Sequence, residues 1–181
     1  TIPVELVPAV YEQACRLGVG VLTYKGNTII HGNGVNEYSS IEAKINGMPM
    51  EEVDNFAEYV DYPVNKFLMT GEPEKIAKAQ DVMRQTFGEQ LNIFRSEPFF
   101  LEIVPPSIDK AYSLGKLLEY LGEKKEQMIC CGDGFNDKSM IAFAGLGVAM
   151  ANAQPEVKEV ADYITTSNDE DGVALVIDKF M

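Results

Sequence analysis

The 181 residues carry 15 lysines and arginines against 28 aspartates and glutamates, a formal net charge of −13, with 46 % hydrophobic and 24 % charged residues. That apolar content excludes a disordered chain, and the charge disfavours nucleic acid and anionic membrane, both of which would repel it. No apolar run approaches the roughly 20 residues that span a bilayer, and no basic segment leading into an apolar one reads as a signal peptide, so a cytoplasmic protein of one large or two small domains is expected.

Residues 4–17 place Leu6, Val10, Ala14 and Leu17 at helical spacing, and Gly18 ends that helix. Two short strands are expected at 19–23 and 28–30, around the turn Lys25-Gly26-Asn27. The polar stretch from there to about Gly47 reads as irregular, and Met48-Pro49 as the start of a second helix running to about Tyr59, since proline suits a first helical turn. A strand follows at 66–69, and Gly71-Glu72-Pro73 breaks the chain. Residues 74–87 form an amphipathic helix with Ile76, Ala79, Val82, Met83 and Phe87 on one side. Strands at 91–95 and 99–104 flank Ser96-Glu97-Pro98 as a hairpin. Residues 1–104 therefore read as a small α+β unit, an open and mostly antiparallel sheet with helices on one face.

Pro105-Pro106 marks the boundary, because two prolines end a strand and stiffen a connector. Beyond it, short apolar strands at 127–131, 146–150 and 163–165 alternate with helices at 108–121, after 136, from Pro155 and from Gly172. That alternation implies a parallel sheet in an α/β unit spanning 105–181.

Cys15, Cys130 and Cys131 are odd in number and lack paired spacing, so neither a disulfide framework nor a zinc site is expected. Cys130 and Cys131 are neighbours on a strand and point to its opposite faces. His31 is the single histidine, and its polar, Gly-rich surroundings (Ile30-His31-Gly32-Asn33-Gly34) read as a surface loop.

The chemistry concentrates in Cys131-Gly132-Asp133-Gly134-Phe135-Asn136-Asp137. It falls where a buried parallel strand ends and a helix begins, the place where open α/β sheets bind ligands. Two carboxylates and an amide suit a hard cation such as Mg²⁺, the glycines allow close backbone approach, and the helix start favours an anion such as phosphate. A plain helix cap at Asp133 and Asn136 is the competing reading. A calcium loop fails, because its third ligand position would fall on Phe135.

The stretch 132–140, Gly-Asp-Gly-Phe-Asn-Asp-Lys-Ser-Met, with Gly145-Leu146-Gly147-Val148-Ala149-Met150-Ala151-Asn152-Ala153 after it, resembles the fourth motif and downstream region of the haloacid-dehalogenase superfamily. Residues 161–165, Asn168-Asp169-Glu170-Asp171-Gly172 and the strand at 100–104 followed by Asp109-Lys110 match its Cof-type sugar-phosphate phosphatases. The resemblance implies a Rossmann-like core in 105–181 and a type-two (IIB) cap in 1–104. It further implies a Mg²⁺-dependent phosphatase of small phosphorylated metabolites working through an aspartyl-phosphate. Asp133 would bind the metal and Asp137 support it from behind; Lys110 would contact the transferring phosphoryl group, Asn136 that group or a metal-bound water, and Asn152 would stand at the substrate loop. Cap residues select the leaving group in this family, which makes Lys66, Arg95 and the loop around Asn33 candidates. A cation-pumping ATPase uses a similar loop, but the absence of a membrane span and the place of the cap weigh against it.

The family's nucleophile is the first Asp of an Asp-x-Asp-Gly-Thr motif directly after an apolar strand, ahead of the cap. The one similar segment, Asp169-Glu170-Asp171-Gly172, follows Thr165-Thr166-Ser167-Asn168 and reads as a helix-capping loop. Thr1 is not a start methionine, so the chain resembles a C-terminal portion whose nucleophile lies elsewhere. By itself it would be inactive, and a missing core segment or self-association would be needed to cover the sheet. A non-catalytic ligand-binding or interaction module built on the same fold is the alternative.

Overall fold

In a computed structural model describing residues 1–181, the chain forms two units, Thr1–Ser107 and Ile108–Met181. The N-terminal unit opens with α1 (Val7–Leu17), which buries Val7, Val10 and Ala14 and ends at Gly18, whose φ of 63° suits a residue without a Cβ. Strands β1 (Gly20–Lys25) and β2 (Thr28–His31) form an antiparallel hairpin. Then come α2 (Glu37–Asn46), β3 (Met50–Glu52), the one-turn α3 (Phe56–Tyr59), β4 (Phe67–Thr70), α4 (Pro73–Phe87), β5 (Asn92–Glu97) and β6 (Phe100–Val104). The six strands make one sheet in the order β3-β2-β1-β4-β6-β5, antiparallel throughout except for the β2–β3 pair. The main core joins Val10, Phe56, Ile76 and Met83 from the helices to Val21, Met69, Leu101 and Ile103 from the sheet. Helix α4 supplies Ile76, Ala79, Met83 and Phe87 to it, at the spacing that the sequence predicts.

Four expectations for this unit are corrected. Residues 37–46, read as irregular, form α2. Its start is set by a capping box in which the Ser39 amide donates to the Asn36 side chain and the Asn36 amide to Ser39 Oγ, both at 2.9 Å. The helix expected from Met48 to Tyr59 is strand β3 plus the short α3. Ile29 N–H donates to Pro49 O at 2.9 Å and Val53 N–H to His31 O at 3.0 Å, so pairing with β2 overrides the proline signal. Helices do not keep to one face: Tyr38 and Ala43 of α2, with Met48 just beyond it, pack against Leu22, Ile29, Leu68 and Phe100 on the other.

The fourth correction is His31, which is fully buried rather than on a loop. It lies on β2, an inner strand hydrogen-bonded to β1 on one side and β3 on the other. Neither ring nitrogen has a hydrogen-bond partner. Burial pushes the imidazole below its ordinary value, with Glu52 opposing this. A histidine whose pKa is lower folded than unfolded binds protons preferentially in the unfolded chain. Stability should hold above the ordinary value of 6.5 and fall as the pH drops below it. Urea midpoints at a series of pH values should therefore decline on the acid side, and His31→Leu should flatten that decline whatever its effect at neutral pH.

The C-terminal unit contains α5 (Lys110–Leu121), β7 (Ile129–Gly132), α6 (Lys138–Phe143), β8 (Leu146–Ala149), α7 (Pro155–Lys158), β9 (Tyr163–Ile164) and α8 (Gly172–Phe180). Its three strands pair in parallel in the order β7-β8-β9, as the alternation of strands and helices requires. Ile141, Ala149, Ala153 and Val157 form its core. Gly147 is needed there, since a Cβ would stand 2.1 Å from Ile141 O. All three cysteines are free. No helix is long and apolar enough to cross a membrane.

Candidate active site

Strand β7 ends at Gly132, and the chain turns through Asp133 and Gly134 into a single 3₁₀ turn, Phe135–Asp137, that leads into α6. The turn folds Asp137 back over the strand end. A Cβ on Gly132 would lie 2.5 Å from Asp137 Cβ, so the close approach requires glycine. Asp137 is 6 % exposed, and both of its oxygens are engaged. Oδ2 accepts the backbone N–H groups of Asp133 and Gly134, each at 3.0 Å, and Oδ1 accepts from Lys110 Nζ. Lys110 is the first residue of α5, where the helix dipole disfavours a cation; the ion pair with Asp137 accounts for its position. Asp109, just before it, caps the helix by accepting from Tyr112 N–H at 2.7 Å.

Asp133 is exposed and differently held. Its Oδ2 accepts from Asn152 Nδ2 at 2.7 Å, and Asn152 Oδ1 accepts the backbone N–H of Asn168 at 3.1 Å. Both ends of the Asn152 amide are thus engaged, which orients it and, through it, the Asp133 carboxylate. The loop that carries Asn152 is tied down by Met150 N–H to Gly132 O at 3.0 Å and Gln154 N–H to Asp133 O at 3.1 Å. A cavity of about 320 Å³ opens here, lined by Lys110, Cys131, Asp133, Asp137 and Asn168 among others. Asn136 stands half-buried on the 3₁₀ turn beside it. Burial pushes the Cys131 thiol up, so it faces the cavity as a neutral group.

Lys110, Asp133, Asp137 and Asn152 are therefore drawn into one hydrogen-bonded array. Sequence reasoning missed Asn168 as a site residue, although it immediately precedes the Asp169–Gly172 segment read as a capping loop. Asn168–Glu170 is a 3₁₀ turn and Asp171 stands immediately before α8, but its side chain makes no capping hydrogen bond there. Of the candidates in the N-terminal unit, Asn33 is engaged by backbone, its Nδ2 donating to Val19 O at 2.5 Å and its Oδ1 accepting from Val21 N–H at 2.8 Å. Arg95 donates to Gln80 of α4 at 3.2 Å. Lys66 pairs with Glu102 at 3.2 Å beside a cavity.

No group of three or more His, Cys, Asp or Glu side chains is placed to hold a metal ion. The donor chemistry nevertheless fits a hard cation, because Mg²⁺ takes one or two carboxylates and keeps several waters. Asp133, with one oxygen unengaged by protein, is the side chain that would hold it.

The profile of the haloacid dehalogenase-like hydrolases matches residues 1–177. A haloacid dehalogenase-like hydrolase from Bacteroides thetaiotaomicron superposes with a TM-score of 0.83 at 46 % identity, covering 99 % of this chain and 68 % of that one. The subclass IIB sugar phosphatase BT4131 superposes with a TM-score of 0.83 at 26 % identity, over 99 % of this chain and 67 % of that one. The phosphoglycolate phosphatase of Methanothermobacter thermautotrophicus is 38 % identical over 125 residues, 66 % of this chain and 57 % of its own. The chain spans about half the length of the curated relatives it matches. A profile match over nearly every residue, joined to the strand-end carboxylates and their lysine, makes this chain a member of the haloacid dehalogenase-like hydrolase family.

Proposed function

We propose that this chain forms part of a Mg²⁺-dependent phosphomonoester hydrolase of small phosphorylated metabolites such as sugar phosphates. The carrying observation is the array at the carboxyl end of β7, in which Asp137 holds Lys110 and Asn152 holds Asp133 beside one cavity. In this reading residues 1–104 are the cap and 105–181 the C-terminal part of the core. A divalent cation at Asp133 would neutralise charge on a phosphoryl group. Lys110, kept in place by Asp137, would offer an ammonium to the phosphoryl oxygens as negative charge develops there. Asn136 would donate an amide N–H to the same group. Asn152 is a positioning residue, because its amide is fully engaged in orienting Asp133.

The reading also requires a carboxylate nucleophile that forms an aspartyl-phosphate. Asp169 and Asp171 sit at a helix start rather than a strand end, which supports a nucleophile outside these 181 residues. The chain with Mg²⁺ and p-nitrophenyl phosphate should then release no phosphate above the buffer rate. Turnover that persists in Asp169→Ala and Asp171→Ala would contradict that part.

The site itself is tested by titrating Mn²⁺ into isotope-labelled chain. Amide signals of Asp133 and Gly134 should broaden first, and inorganic phosphate should then shift the Lys110 side-chain signal. Asp133→Asn should abolish the selective broadening. Asn152→Ala should weaken it by about tenfold or more, the usual effect of removing a group that orients a metal ligand. Uniform broadening across the chain, unchanged by Asp133→Asn, would refute the assignment.

A further inference from the structure

Thr165 puts a hydroxyl where the end of a buried strand ordinarily carries an apolar side chain. It is 6 % exposed, and valine has nearly the same shape with no polar atom to satisfy. The hydroxyl donates to Gly172 O at 2.8 Å. That bond ties the residue just beyond β9 to the first residue of α8 and closes the loop 165–172. The closure is tight, because a Cβ on Gly172 would stand 2.3 Å from Thr166 O. Inside the loop Glu170 Oε2 accepts from Ser167 Oγ at 2.7 Å and from Ser167 N–H at 3.2 Å, which fixes the 3₁₀ turn Asn168–Glu170.

This loop meets the side chain that orients Asp133. The pairing of β8 with β9 continues past both strands as three hydrogen bonds. Thr165 N–H donates to Ala149 O at 3.0 Å, Ala151 N–H to Thr166 O at 3.2 Å, and Asn168 N–H to Asn152 Oδ1 at 3.1 Å. The last bond turns Asn152 Nδ2 toward Asp133 Oδ2, 2.7 Å away. The terminal torsion of an asparagine has only a broad preference of its own, so the partner of the amide oxygen decides where the nitrogen points. Whatever fixes Asn168 therefore fixes Asp133. Neither Thr165 nor Glu170 lines the cavity at Asp133, so neither touches a group bound there.

We propose that Thr165 is a positioning residue for the metal-holding carboxylate. Its hydroxyl closes the loop whose Asn168 amide sets Asn152 and, through Asn152, Asp133. The proposal rests on the reading of Asp133 as the side chain that would hold a divalent cation. A plain anchoring role would stabilise the start of α8 without reaching Asp133.

Mn²⁺ titration of the isotope-labelled whole chain, followed at the Asp133 and Gly134 amides, separates the two roles when joined to hydrogen exchange in the metal-free chain. Thr165→Val should speed exchange of the Asn168 amide by about tenfold, the loss of one buried hydrogen bond. It should also weaken Mn²⁺ binding by about threefold, less than removal of the group that contacts the ligand directly. Thr165→Ser keeps the hydroxyl and should stay within about twofold of the wild type in both. In an Asn152→Ala background Thr165→Val should leave Mn²⁺ affinity unchanged, because the link to Asp133 is already cut. Glu170→Ala loosens the same turn from its exposed side and should act in the same direction, which keeps the test open if Thr165→Val does not fold. Faster Asn168 exchange with unchanged Mn²⁺ affinity would show plain anchoring and overturn the proposal. So would an Mn²⁺ loss that persists at full size without Asn152, or a Thr165→Ser variant that loses as much as valine. A wild-type chain with no selective broadening at Asp133 overturns it through the metal reading instead, and Asn168 exchange in the metal-free variants tells that failure from a failure of the loop.

Discussion

Asp137→Ala should destabilise the C-terminal unit by about 3 kcal/mol, with Asp137→Asn falling between it and the wild type. The side chain is 9 % exposed and accepts two backbone N–H groups and the Lys110 ammonium. Alanine leaves the Asp133 and Gly134 amides facing a gap in the turn, and hydrogen bonds to a buried charge are worth about 1.5–3 kcal/mol each when removed one-sidedly. Asparagine can keep one oxygen toward those amides but turns an amide N–H₂ toward the ammonium. Lys110→Ala separates the contributions. The lysine side chain is 46 % exposed, so solvent screens the pair and its loss should cost less than about 1 kcal/mol. Urea unfolding of the three variants tests the order. A Lys110→Ala cost equal to that of Asp137→Ala would show that the ion pair, and not the amide bonds, holds the turn. With the expected order, Lys110→Ala removes the cation from the cavity while leaving the Asp133 turn intact, the variant needed to assign a function to the ammonium.

In the N-terminal unit Phe56→Ala should cost about 4 kcal/mol, the range for deleting a buried aromatic ring. Phe56 is fully buried although it lies on a helix of only four residues. Its ring stacks on Tyr11 at a centroid distance of 5.3 Å and tilts against Phe67 at 6.0 Å. Gly32 is pressed so closely onto it that a Cβ there would stand 2.5 Å from Phe56 Cβ. The Tyr11 hydroxyl donates to Gly32 O at 2.6 Å, locking the same contact from the other side. Glu58→Ala, on the exposed side of the same turn, should stay within about 0.5 kcal/mol. A double-mutant cycle is more discriminating. Gly32→Ala should destabilise the wild type through overlap with Phe56 Cβ, Cγ and Cδ2, and less in the Phe56→Ala background, where only the overlap with Cβ remains. Additive costs, measured by circular dichroism in urea, would contradict the packing account.

Elements specified by their own residues were legible. Helix α4 follows from the spacing of Ile76, Ala79, Met83 and Phe87, and α1 from its apolar stripe and Gly18, because one buried face repeats every turn. Strand β7 and its loop were legible because a buried parallel strand is an apolar run and its exit needs Gly132. Helix α2 was missed because it buries no apolar residue; its signal was the Asn36–Ser39 cap, which periodicity does not register. Strand β3 was missed because three residues carry no period, and only pairing to β2 makes them a strand.

The sequence by itself determined the family, the α/β character and the carboxylates Asp133 and Asp137, since these depend on local order along the chain. Three things depended on the tertiary structure. His31 is buried because β2 acquires neighbours on both sides, one of them the unforeseen β3. The two aspartates differ because Lys110, 27 positions away, meets one and Asn152, 19 positions away, meets the other. Glu42 faces a cavity because α2 lies on the second face of the sheet, against β1. Each is a contact between residues remote in sequence, and such contacts leave no periodic or compositional trace in the segments that make them.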